Sequence, residues 1–202
     1  MVKPLLLLLS LLGLSSTGVI KDELPLGSKA PMAEVKMASV TGKSVSMVDI
    51  KKENGLLVIF SCNTCPYVLA WEDRYDDVFA SAKANGIGMV AINSNAAQFD
   101  GVDSMEEMKK RATAKGYGFD YTQDRNSEIA DAFGATKTPH VYLFDKDMNL
   151  VYRGAIDDNS RSAEKVKEPW LLDALKAVGS GKPVVKSTSK AIGCTIKRNT
   201  GI

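Results

Sequence analysis

The sequence predicts an α/β protein, a mixed central β-sheet with helices on both faces. Three observations carry that expectation. Residues 56–60 (LLVIF) form an unbroken apolar run followed at Pro66 by a helical repeat. Residues 87–92 form a second such run, again followed by a helical stretch, and the last third of the chain holds a strand pair and a closing helix. Apolar runs of this length between helices are the pattern of strands buried on both faces.

Taken in order, residues 27–31 (GSKAP) are a loop entry, and two short strands, 34–39 and 44–48, flank Thr41-Gly42 as in a hairpin. The 56–60 run lies between Asn54-Gly55 and a cysteine pair and reads as the central strand. From Pro66 to Asn85-Gly86 a single helix is expected. Val68, Trp71, Tyr75, Val78, Phe79 and Ala82 recur at steps of three and four, with Glu72, Asp73, Asp76 and Asp77 on a solvated face. Ser104-Met105-Glu106-Glu107 is a capping box opening a helix to about Lys115, closed by Gly116. Residues 119–122 are a short strand, and Asn126 caps a short helix that stops at Gly134. Strands 141–144 and 150–156 are joined by the turn 145–149. Pro169 stands in the first turn of the last helix, whose stripe is Leu171, Leu172, Leu175 and Val178 and whose stop is Gly179.

Composition bounds the function. The chain has 202 residues, 45% hydrophobic and 25% charged, with net charge +2. That suits one domain with a full core, and no stretch concentrates Lys and Arg as a nucleic-acid groove would. Met1-Val2-Lys3, the apolar run 5–14 and the small residues 15–18 have the layout of a secretory signal and are too short to span a bilayer. The expected organisation is a signal at 1–19, one domain at 20–180 and a tail at 181–202 containing Cys194. Localisation is expected to be periplasmic or secreted, with no membrane attachment after cleavage.

Export changes what the three cysteines mean. In an oxidising compartment a pair persists as a disulfide, and an odd third thiol needs its own account. Cys62 and Cys65 are separated by two residues, so a bridge between them closes a tiny loop and stabilises the fold little. Chemistry is the better explanation. The pair falls between a strand and a helix, where unpaired N–H groups favour a thiolate, and Cys62 is expected to gain most. The second sulfur is then close enough to close a disulfide. Metal binding and a silent structural pair are the alternatives. Cys194 is a free thiol in a flexible tail, a resolving partner, or an intermolecular link.

The blocks FSCNTCP (60–66), VAINSN (90–95), FGATKTP (133–139), LFD (143–145) and YRGAID (152–157) are similar, in order and spacing, to the thioredoxin superfamily. They resemble most its secreted redoxins, between thioredoxin-like reductases and peroxiredoxins, and AIGCTIK (191–197) resembles the end of peroxiredoxin-like members. The resemblance covers residue 25 to the C-terminus. It implies a thioredoxin-like fold, a redox-active Cys62–Cys65 disulfide, and a cis-proline at Pro139 facing it. The backbone of Thr138 would then be free to pair with an incoming peptide strand. Asn93 and Asn95, at a strand end, are expected either to line the substrate cleft or to shape a turn.

The chain departs from both patterns. Ser61 stands where thioredoxins carry Trp, Leu56 where many bury an acid, and Val68 where some secreted reductases place another. Water or His140 would have to relay the Cys65 proton. Against peroxiredoxins, Cys65-Pro66 matches the peroxide-attacking cysteine, but Cys62 replaces the Thr, Val58 a proline and Pro139 the arginine that cradle peroxide. The expected function is therefore thiol–disulfide exchange with protein thiols or a reductant protein. Cys62 would attack, Cys65 would resolve, and no diffusible cofactor is required. The alternatives are a peroxidase using Cys65 and a copper chaperone using Cys62, Cys65 and His140, although His140 reads first as a packing residue. A zinc site would need Cys194 as well.

Overall fold

The structure, a computed structural model, describes residues 22–199. The expected signal at 1–19 lies outside them. Among the described residues nine strands and six α-helices form the expected α/β architecture, a mixed sheet flanked by helices in the thioredoxin-like manner. The main sheet has seven strands.

Next to its middle strand, β4 (Ile87–Asn93), lies β3 (Gly55–Ser61), parallel to β4 on one side and antiparallel to β7 (His140–Phe144) on the other. Both faces of β3 are buried, which is why it has no polar alternation. Leu57 and Ile59 enter one core cluster; Leu56, Val58 and Phe60 enter the other. Each such side chain contributes about 1.5–3 kcal/mol by leaving water. Beyond β4 come β5 (Asp120–Gln123), parallel to it, and the antiparallel pair β1 (Met37–Ser39) and β2 (Ser44–Val45). Beyond β7 lies β8 (Leu150–Gly154).

The first core cluster takes its helical side chains from α3 (Tyr75–Ala84), α4 (Met105–Lys115) and α6 (Trp170–Gly179), joined by Trp71 at the end of α2 (Pro66–Trp71). The second uses α1 (Met47–Ile50) and α5 (Glu128–Phe133). There Phe60, Phe133 and Tyr142 meet edge to face, with centroids 5.1–5.7 Å apart. Ser104 caps α4 by accepting from the Glu107 amide at 3.3 Å, and Gly116 ends it in the left-handed region at φ 66°.

Several expectations are corrected. The strand expected at 44–48 ends at Val45, and Met47–Ile50 form the helix α1 instead. The helix from Pro66 is not continuous: a 3₁₀ turn, Glu72–Arg74, separates α2 from α3. At that turn Glu72 and Arg74 face inward rather than into solvent. Glu72 is buried, paired with Arg111 at 2.6 Å and Lys115 at 3.0 Å and hydrogen-bonded by Tyr117, while Arg74 pairs with buried Asp157 at 2.9 Å. The short helix after β5 is capped by Asp124, which accepts from the amides of Ile129 and Ala130 at 3.0 and 2.9 Å, while Asn126 has φ 63° and does not cap. Finally, the C-terminal segment is docked on the body rather than flexible, through a second, two-stranded sheet, β6 (Lys137–Thr138) with β9 (Cys194–Thr195).

Candidate active site: a cysteine pair beneath a returning strand

Because β3 and β4 are parallel, both end at the same edge of the sheet, with Ser61 opposite Asn93. The chain turns there through Cys62, Asn63 and Thr64. Cys65 is the N-cap of α2, with Pro66 at the first helical position, where its missing N–H costs nothing. Both cysteines are buried, 2% and 4% exposed, and all three cysteines carry free thiols.

The turn is held by one carboxylate. Asp103, fully buried, accepts from the Asn63 amide at 2.8 Å, the Asn93 side chain at 2.9 Å and the Asn95 side chain at 2.8 Å. Asn63 also donates to the Val102 carbonyl at 2.8 Å and accepts from the Tyr121 hydroxyl at 3.0 Å. Asp103 thus fixes the loop between the two cysteines from a different part of the chain. Sequence reading passes over it, because its only local sign is an acid next to the Ser104 cap.

Asn93 and Asn95 are buried at 0% and 3%, so they line no open cleft; they hold Asp103 and the tail. An open cleft of about 630 Å³ lies instead beside Asn63 and Thr64, between them and the α4 side chains Lys110 and Arg111.

Across from the pair, the Thr138–Pro139 peptide bond is cis, as the resemblance implies. The Cys62 sulfur lies 3.3 Å from the Thr138 hydroxyl, and the Cys65 sulfur lies 3.1 Å from the Thr138 carbonyl oxygen, to which it donates while protonated. The outer edge of Thr138 is not free. Cys194 pairs with it in antiparallel register, followed by the Ile196 amide on the Thr136 carbonyl at 3.1 Å. The Lys197 amide donates to the Asn95 side chain at 2.9 Å, Arg198 pairs with Asp131 at 2.6 Å, and Ile196 is buried in the core. Cys194 packs on the cluster formed by Cys62, Cys65 and Val68.

These contacts divide the two thiols. Cys65 is pulled down to about 4, first by a hydrogen bond from the Cys62 thiol; burial opposes this, and the Cys194 thiol and the Val68 and Cys194 backbone reinforce it. Cys62 is pushed up, first by that same hydrogen bond, then by burial, with the Asp103 charge adding to it. Ionisation is therefore favoured at Cys65 rather than at the expected Cys62, chiefly because the Cys62 thiol donates to it and in smaller part because the Val68 amide in the first turn of α2 does.

His140 is a packing residue. It is fully buried, its ring centroid 4.5 Å from that of Tyr142 on the face of the sheet that holds Phe60 and Phe133, and burial lowers its pKa to about 4. Its Nδ1 lies 3.4 Å from the Tyr142 hydroxyl. Among the described residues no group of three or more His, Cys, Asp or Glu side chains is placed to hold a metal ion, so the Cys62, Cys65 and His140 copper set is not assembled.

A strand–CxxC–helix unit facing a cis-proline across a mixed sheet defines a redoxin of the thioredoxin fold. Residues 26–153 match the family model described as AhpC/TSA, and the chain belongs to that family. A search of curated proteins gives no significant match. Among solved structures, the chain is similar to an uncharacterized conserved protein from Geobacillus kaustophilus. The two share 35% identity, with 88% of this chain and 94% of that one covered and a TM-score of 0.80. A hypothetical protein from Sinorhizobium meliloti 1021 is 32% identical over 89% of this chain and 98% of that one, at TM-score 0.81. The thioredoxin domain of a thiol-disulfide oxidoreductase from Bacteroides vulgatus shares the fold at 18% identity, covering 66% and 90%, with TM-score 0.55.

Proposed function

We propose that the protein is an exported thiol–disulfide oxidoreductase that exchanges a Cys62–Cys65 disulfide with protein thiols. The observation that carries this reading is the convergence of both sulfurs on Thr138, beside the cis-proline, with a stabilised thiolate on one of them. In the reducing direction the Cys65 thiolate attacks a partner disulfide, forming a mixed disulfide and releasing one partner thiolate. Cys62 then gives up its proton and attacks the Cys65 sulfur, closing the 62–65 bond and expelling the second partner thiolate. Oxidation of a partner dithiol is the reverse. A protein-sized partner is supported by four exposed apolar side chains that adjoin the site in sequence: Tyr67 and Leu69 on α2, Val102 beside Asp103, and Ile192 before β9. Export rests on the apolar leader at 5–14, and N-terminal sequencing of the mature protein tests it.

Trapping tests the roles. With Cys62→Ser and Cys194→Ser combined, a mixed disulfide should accumulate on Cys65. With Cys65→Ser none should form. Trapping only in the Cys65→Ser protein would return the attack to Cys62, and no trapping in either would remove exchange altogether.

One observation favours a second reading. Cys65-Pro66 aligns with the peroxide-attacking cysteine of the family, and Cys65 is the thiol held as thiolate. Peroxide consumption that survives Cys62→Ser and is lost in Cys65→Ser would support a thiol peroxidase. Pro139 stands where the family's peroxide-orienting arginine is expected, which favours exchange.

A further inference from the structure

The C-terminal strand lies where an exchange partner's peptide would lie, and it carries a cysteine at the matching position. β9 runs antiparallel along the Thr138 edge, Gly193 packs so closely that a Cβ there would stand 2.1 Å from the Thr138 carbonyl oxygen, and Cys194 rests on Cys65. Asn95, Asp131 and the Ala135 carbonyl fix residues 197 and 198 just beyond it, so the placement is built by several side chains rather than by one contact.

We infer that β9 is a tethered substrate strand and that Cys194 is a third redox thiol, exchanging with the 62–65 disulfide through Cys65. The inference rests on the exchange chemistry proposed above and adds a second disulfide to it. Starting from the oxidised pair, Cys194 loses its proton and attacks the Cys65 sulfur. The 65–194 bond forms, the 62–65 bond breaks, and the electron pair leaves on Cys62, which takes up the proton. No outside oxidant or reductant enters, because the two disulfides are isomers at one oxidation level. Cys65 is the sulfur common to both, which agrees with its position between Cys62 and Cys194. The exchange would carry the oxidising equivalent from the inner sulfur to the half-buried tail and leave Cys62 reduced.

Disulfide mapping after equilibration with glutathione and acid quench tests this. The full chain should contain both 62–65 and 65–194 links, in a ratio that stays constant while the oxidised-to-reduced glutathione ratio is varied about a hundredfold. Cys62→Ser should accumulate 65–194, and Cys65→Ser should show no 62–194 link. Gly193→Val, which cannot fit against Thr138, should lose 65–194 and retain 62–65. A Cys62→Ser protein whose Cys65 and Cys194 both stay open to alkylation under oxidising conditions would overturn the inference, as would a Gly193→Val protein that still forms 65–194. Failure of the underlying exchange reading is a different result: no reversible 62–65 disulfide in the Cys194→Ser protein.

Discussion

Cys65 owes its charge to its neighbours, and each can be removed singly. The largest is the Cys62 thiol, so Cys62→Ala should raise the Cys65 midpoint from about 4 toward the ordinary thiol value. Ultraviolet thiolate absorbance against pH measures it; an unchanged midpoint would contradict the assignment. The same shift links to stability. A folded-state pKa below the unfolded value stabilises the reduced protein fully above the unfolded value, and that contribution disappears as pH falls through the folded one. The reduced protein should therefore lose stability from about pH 9 toward pH 4, and Cys65→Ala should flatten that loss. His140 acts in the same direction over a narrower window, since its lowered pKa leaves it neutral while the unfolded chain protonates between about pH 6.5 and 4. Asp103 governs the turn between the cysteines. Replacing it with Ala strands three buried donors and should cost about 3 kcal/mol in urea unfolding, whereas an exposed acid such as Asp76 should cost under about 0.5 kcal/mol.

The 3₁₀ break between α2 and α3 and the strand β9 are two elements that sequence patterning misplaces. At the break Glu72 turns inward. Burial works to raise its pKa, but hydrogen bonds from Tyr117, Arg111 and Lys115 more than compensate and hold it below the usual carboxylate range. Glu72→Leu leaves those three groups unpaired and should destabilise the protein by about 3 kcal/mol, read as a lower urea midpoint. For β9, a chain ending at residue 189 loses the buried Ile196, about 1.5–3 kcal/mol, and uncovers the Thr138 edge. Its exchange with a disulfide-bonded peptide should quicken on the order of tenfold, since the groove need no longer be vacated first. An unchanged rate would mean that the strand does not occupy the partner's place.

At the scale of the whole molecule, the parts legible in the sequence are those fixed by local pattern. The LLVIF run shows a strand buried on both faces because no alternation is permitted there, and the cap and stop of α4 are written in Ser104 and Gly116. The cysteine pair is equally plain from its spacing, whereas the cis-proline at 139 is legible only through the family resemblance. The rest depends on residues far apart in the chain. Asp103 meets Asn63 across forty positions, Glu72 meets Arg111 across thirty-nine, and Thr138 meets Cys194 through two-residue strands too short to carry any period. An acid in a charged run looks solvated until its partners are known, and a polar tail looks loose until its edge is found.

The claim on which these predictions depend is that the sulfurs brought together at the ends of β3 and β4 form a reversible disulfide. Equilibrating the full chain with graded glutathione mixtures and counting alkylatable thiols tests it most directly. The expected result is a single two-electron transition from three thiols to one, reversed by added reductant. Three thiols remaining at every glutathione ratio would contradict it.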